Sequence, residues 1–318
     1  MRQSPNLIFE VIQDISLYDL ENTLSQNQRI VSITNDYEDG QWRTDKFLSY
    51  IIDNITQTAL SFEERKKTIA NPFSALKFAI DHLRKAKKKE DGTESDDKGK
   101  GGEIAEILLY GIMQGYYNAL PVVPKIFYKQ NDNDNAKGAD SVHITLDNTN
   151  ETFCLWLGEA KFYNSIDPQR LDKPVQSVLN SISKLAIRKE CSIVCSMKDI
   201  DGLIDNKVLL SKIKEALSPS TSLDGIKAHL HIPILLLHEC EITSNATDFT
   251  DEFKQKLIEW HKSCAIKYFQ KLKAKNEVLE IPIYKFDTIH FHLILFPVPN
   301  KDTIVNRFYK YINSVSSL

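Results

Sequence analysis

The chain has 318 residues, 42% hydrophobic and 26% charged, with a formal net charge of −3. Those fractions exclude a fibrous or largely disordered chain, and the length suffices for a substantial core in one large domain or two. A global basic footprint for nucleic acid is excluded too, which leaves room only for a local patch. The five cysteines, Cys154, Cys191, Cys195, Cys240 and Cys264, form no CxxC pair and sit mostly in apolar runs. They read as reduced cysteines rather than a disulfide frame or a zinc site. The N-terminus has no apolar signal core, and the longest apolar runs, 232–237 and 293–298, are far too short to span a bilayer. A soluble, cytoplasmic protein is expected.

In chain order, residues 1–33 mix strand-like alternation at Leu7, Phe9 and Val11 with an amphipathic stretch near 17–24. A turn is expected at 36–40. Apolar residues then recur at helical spacing through 46–59 (Phe47, Leu48, Ile51, Ile52, Ile55) and again through 73–83, where Pro72 suits a first helical turn. No catalytic grammar appears here, so 1–83 is expected to form a mostly helical elaboration packed on the main domain. Residues 84–102 (RKAKKKEDGTESDDKGKGG) are almost wholly polar and read as an exposed charged loop.

A helix is predicted over 103–117, with Ile104, Ile107, Leu108 and Ile112 facing inward. Glu103 and Glu106 stand three apart and so occupy neighbouring positions on one face. A favourable contact with the helix dipole explains acidic residues in a first turn equally well. Residues 122–128 read as a strand, followed by the polar tract 130–137 and a second strand that begins Gly138-Ala139-Asp140. The turn at 148–151 leads into Phe153-Cys154-Leu155-Trp156-Leu157-Gly158-Glu159-Ala160-Lys161-Phe162, an apolar run suited to a strand buried on both faces. Strand side chains alternate, so Glu159 and Lys161 share one face and Ala160 takes the other. A carboxylate and an ammonium in such a strand cost several kcal/mol, on the order of what a buried ion needs repaid, unless each is paired.

The residue types suggest the chemistry. Asp140 and Glu159, on neighbouring strands of a hairpin, offer carboxylate oxygens to a hard divalent cation. Mg²⁺, or Mn²⁺ in its place, would acidify a water and neutralise charge on a phosphate under attack. Lys161 is placed to orient that nucleophile or to stabilise the transition state. Glu106 or Glu103 is the candidate accessory acid or further metal ligand. No serine–histidine pairing or Walker-type glycine loop competes with this reading.

The order of helical Glu, then Asp, then Glu-x-Lys resembles the PD-(D/E)xK nuclease superfamily, through GGEIAE (101–106), KGAD (137–140) and GEAK (158–161). No Pro directly precedes Asp140. The step from Gly102 to Glu106 resembles the Holliday-junction-resolvase branch and favours Glu106 over Glu103 as the accessory acid. The wider chain, from about residue 71 onward, resembles the HamA family of the Hachiman anti-phage system through GEIAEILLY, the GAD strand and GEAKFY. That resemblance implies a DNA nuclease held in check by a helicase partner, HamB, until foreign or damaged DNA engages the helicase. The alternative carried beside it is a catalytically silent DNA-binding or scaffold subunit.

Beyond the site, a helix is predicted over 171–187, with Gln176, Tyr163 and Lys173 as minor substrate-side candidates. Residues 191–195 and 232–237 read as buried strands. His229, His231 and His238 read as structural. The longest helical pattern covers 248–277 with a lysine-rich outer face, and 289–296 is a final strand whose His290 and His292 lack a third metal ligand. An amphipathic helix closes the chain at 303–312. The fold class expected is α/β, with a restriction-endonuclease-like mixed β-sheet flanked by helices and elaborated at both ends. The nuclease domain is expected over 103–318.

Overall fold

The computed structural model describes residues 7–19, 25–83, 101–129, 138–147, 149, 151–197 and 199–317. Apart from Gly101 and Gly102, the charged segment 84–102 lies outside the described residues, as does the tract 130–137. The chain begins with β1 (Glu10–Ser16), β2 (Gln28–Thr34) and the short hairpin β3 (Tyr37–Glu38) and β4 (Gln41–Trp42). Helices α1 (Thr44–Asp53), α2 (Ile55–Ala59), α3 (Phe62–Thr68) and α4 (Pro72–Asp81) follow. Next come α5 (Gly102–Gly115), β5 (Leu120–Val123), α6 (Lys125–Lys129), β6 (Ser141–Leu146) and β7 (Phe153–Tyr163). Then come α7 (Asp172–Ser181), α8 (Lys184–Ser196), α9 (Asp199–Leu203), α10 (Lys207–Leu217), α11 (Leu223–Ile226) and β8 (Leu230–Glu239). Last are α12 (Glu241–Asn245), α13 (Asp251–Glu277), β9 (His290–Val298) and α14 (Lys301–Ser316).

A seven-stranded mixed sheet in the order β1-β2-β9-β8-β7-β6-β5 forms the frame. Its centre is parallel, β2 with β9, β9 with β8 and β8 with β7, while the β1, β6 and β5 pairings are antiparallel. The central strands are near-continuous apolar runs because helices cover both of their faces. On one face Leu155, Leu157, Ile234, Leu236, Leu293 and Leu295 pack with Val175 and Val178 of α7 and Tyr268 and Leu272 of α13. On the other, Trp156, Ala160, Phe162, Leu235 and Phe296 pack with Ile104 and Leu108 of α5, Phe47 of α1 and Phe308 of α14. The α/β expectation holds.

Several local expectations give way. The N-terminal third supplies helices, but also β1 and β2, which join β9 and extend the main sheet. The strand expected over 122–128 stops at Val123, since Pro124 has no N–H for the ladder and the chain turns into α6. Cys191 and Cys195 lie in α8 rather than on a strand. Ile187, Cys191 and Val194 are buried at helical spacing, a period that the short run 191–195 hides. The helix expected over 171–187 is two helices, divided where Ser183 Oγ accepts the Ala186 N–H and caps α8. No helix among the described residues is long and apolar enough to cross a membrane.

Candidate active site

Register brings the strand residues together. Ser141 of β6 pairs with Gly158 of β7, and one step further the Asp140 N–H donates to the Gly158 carbonyl at 2.7 Å. Asp140 therefore stands opposite Glu159 on the same face of the sheet. Alternation along β7 puts Lys161 there as well. Lys161 Nζ donates to Asp140 Oδ2 and to Glu159 Oε2, both at 2.8 Å. Asp140 Oδ2 also accepts the Ala160 N–H at 3.0 Å.

Burial sorts the roles. The side chains of Glu159 and Asp140 are 8% and 11% exposed, whereas that of Lys161 is 34% exposed, so the lysine side chain is the most open of the three. Burial pushes the Glu159 carboxyl above its ordinary value, the negative charge of Asp140 adds to that, and Lys161 pulls it back down. Burial works against the Lys161 charge, but the two carboxylates outweigh it and lift the ammonium above its ordinary value. The lysine is thus a charged donor at neutral pH.

Ser177 of α7 completes the grip, its Oγ donating to Glu159 Oε2 at 3.0 Å. Gln176, the sequence-level candidate on this helix, points to solvent and bonds Asn180 at 3.0 Å. The buried neighbours Val175 and Val178 mark the inward face of α7, and that pattern could have drawn attention to Ser177. Tyr268 of α13 is fully buried, and burial followed by the nearby charge of Glu159 holds its phenol well above the ordinary value. Tyr163 is half-buried and shifted the same way by burial. Lys301, at the start of α14, donates to the Phe162 carbonyl at 3.1 Å, beside Lys161.

Glu103 and Glu106 stand in the first turns of α5, which covers the Ala160–Phe162 face, opposite the face that carries Glu159 and Lys161. Gly101 leads that helix with φ +88°, and a Cβ there would sit 2.9 Å from Phe162 Cδ1 and from Val305 Cγ2. This close approach seats the start of α5 against the residue that follows Lys161. Glu103 is buried and Glu106 half-buried. Among the described residues no three His, Cys, Asp or Glu side chains are grouped to hold a metal ion, so neither glutamate completes a preformed cage with Asp140 and Glu159.

The donor set still suits a hard cation. Asp140 and Glu159 offer only oxygen, and Mg²⁺ is commonly held by one or two carboxylates with water and phosphate completing its shell. Burial first, and then the charge of Asp140, raises the Glu159 carboxyl, and a divalent ion would relieve the repulsion between the two. A groove lined by Ile52, Leu60, Phe62, Ile69 and Leu76 lies among α1–α4, and Asp140, Glu159 and Lys161 take no part in its walls.

No curated protein matches the chain. The HamA family model matches residues 9–312, a span that takes in β1, the strands bearing Asp140, Glu159 and Lys161, and most of α14. That match covers nearly all of the sequence, and the chain therefore belongs to the HamA family, components of the Hachiman anti-phage defence system.

Proposed function

We propose that the chain is a metal-dependent deoxyribonuclease of the PD-(D/E)xK type and the nuclease effector of a Hachiman complex controlled by the helicase HamB. The observation that carries this reading is the Lys161 ammonium, held 2.8 Å from two carboxylates on neighbouring strands and 3.1 Å from the Ala160 carbonyl, on a side chain that is 34% exposed.

Asp140 and Glu159 are the residues that would hold Mg²⁺ or Mn²⁺. When bound, the ion supplies Lewis acidity at the phosphate and acidifies water. Lys161, kept protonated by its two partners, sets a positive charge beside the charge that grows on the phosphate oxygens. Ser177 fixes the orientation of Glu159, while Glu106 and Glu103, on α5 across the sheet from Glu159 and Lys161, are given no part in holding the ion.

Plasmid and single-stranded DNA cleavage by purified protein in Mg²⁺, Mn²⁺ or EDTA tests the reading, with and without HamB. Metal-dependent cutting that disappears in Glu159→Ala and in Lys161→Ala is expected. Wild-type protein that stays inert in every condition, with its partner and DNA ends supplied, overturns it in favour of a silent DNA-binding or scaffold subunit.

A further inference from the structure

The most deeply buried ion pair among the described residues lies outside the group just described. Lys125 Nζ, on α6, donates to Glu190 Oε2, on α8, at 2.6 Å, with side chains 3% and 1% exposed. The other oxygen of Glu190 accepts the backbone N–H of Ala139 at 2.9 Å. Gly138 lies over the same carboxylate so closely that a Cβ would fall 1.8 Å from Glu190 Oε1. One carboxylate therefore ties two helices to the two residues that lead into Asp140.

An ion pair this dry is weak evidence of stabilisation, because desolvating both charges consumes most of the attraction. Its third bond has a clearer consequence. The Ala139 N–H goes to Glu190, and the next N–H, that of Asp140, goes to Gly158 of β7. With consecutive amides fixed by partners on different elements, the backbone at Asp140 has little freedom. Its side chain then meets the Ala160 N–H and Lys161 in one orientation.

We propose that Glu190, itself held by Lys125, is a positioning residue that sets Asp140 for a divalent cation. The proposal rests on the metal-site reading above and deepens it. Glu190 touches neither substrate nor cation, so its effect has to reach the site through the Ala139 amide.

Two double variants separate positioning from stability. In Lys125→Met/Glu190→Leu the ion pair is exchanged for apolar side chains, but the buried Ala139 N–H loses its acceptor, which costs stability. In Lys125→Met/Glu190→Gln the amide oxygen still accepts that N–H, while the amide NH₂, in place of the oxygen that accepted from Lys125, is buried without an acceptor and stability falls. Mn²⁺ affinity, read by paramagnetic resonance of the free ion, and the thermal unfolding midpoint are measured on each full-length variant. Asp140→Asn serves as the control.

Affinity about tenfold weaker in the Leu variant and near wild type in the Gln variant, although each leaves a buried N–H unpaired and melts earlier than wild type, is the expected result. Affinity that follows the melting midpoint across the two variants, or that changes in neither, overturns the positioning role. If Asp140→Asn binds Mn²⁺ as wild type does, the metal-site reading itself fails and the proposal falls with it.

Discussion

Asp140 and Lys161 meet across two strands at 2.8 Å, and the same carboxylate oxygen takes the Ala160 N–H at 3.0 Å. Backbone and side chain of β7 thus hold one oxygen of Asp140 in place. Ala160 belongs to the opposite face of the strand by its side chain, yet its amide lies in the plane of the sheet and reaches the site.

Replacing Lys161 by Met leaves two carboxylates facing each other with little solvent between them. Cleavage is expected to drop by about 10²–10³-fold, the scale for losing a charged donor to a transition state. The metal-free variant should also melt earlier than wild type, yet gain more from Mn²⁺, because the ion replaces the missing positive charge. Differential scanning fluorimetry across a Mn²⁺ series gives both numbers, and an equal or smaller gain in the variant contradicts the shared-charge account.

Ser177→Ala removes one hydrogen bond to Glu159 Oε2 and should slow cleavage by about tenfold, roughly 1.4 kcal/mol, without a change in fold. Gln176→Ala, one residue away on the solvent side, should be neutral. Steady-state rates of the two variants side by side decide it, and equal rates refute a role for Ser177.

Gly101→Ala forces a Cβ onto a residue at φ +88° and against Phe162 and Val305. The expected loss is about 1–3 kcal/mol of stability in urea unfolding. An unchanged midpoint would mean that the start of α5 is not tightly seated on β7.

His143 of β6 is fully buried, packed edge-on to Tyr110 at 4.7 Å, and burial lowers its imidazole from 6.5 to about 3. The unfolded chain takes up a proton near 6.5 and the folded one does not until about 3. The neutral ring's stability contribution is thus complete above the upper value and is lost as pH falls towards the lower one. In that window His143→Leu should flatten the slope of stability against pH by up to one proton, about 1.4 kcal/mol per pH unit. Urea unfolding at a series of pH values measures the slope, and parallel wild-type and variant curves refute the assignment.

Much of the sheet is legible in the sequence. The apolar runs of β7, β8 and β9, the long period of α13 and the closing period of α14 each announce their element, because burial on one or two faces imposes its own spacing. Where runs are short, the reading fails. Cys191 and Cys195 looked strand-like because five apolar-leaning residues cannot distinguish the two periods, and the helix is fixed by the Ser183 cap eight residues earlier.

The sequence by itself determines that Glu159 and Lys161 share a face, since the pleat alternates whatever packs against it. It also determines, through the turn between two adjacent strands, that Asp140 can come beside them. Only the tertiary structure decides that α5 covers the opposite face and that Ser177 rather than Gln176 reaches Glu159. It alone decides that Glu190, 51 residues along the chain from Ala139, grips the amide next to Asp140. Periodicity encodes which side of an element turns inward, and it carries no information about which distant element will be waiting there.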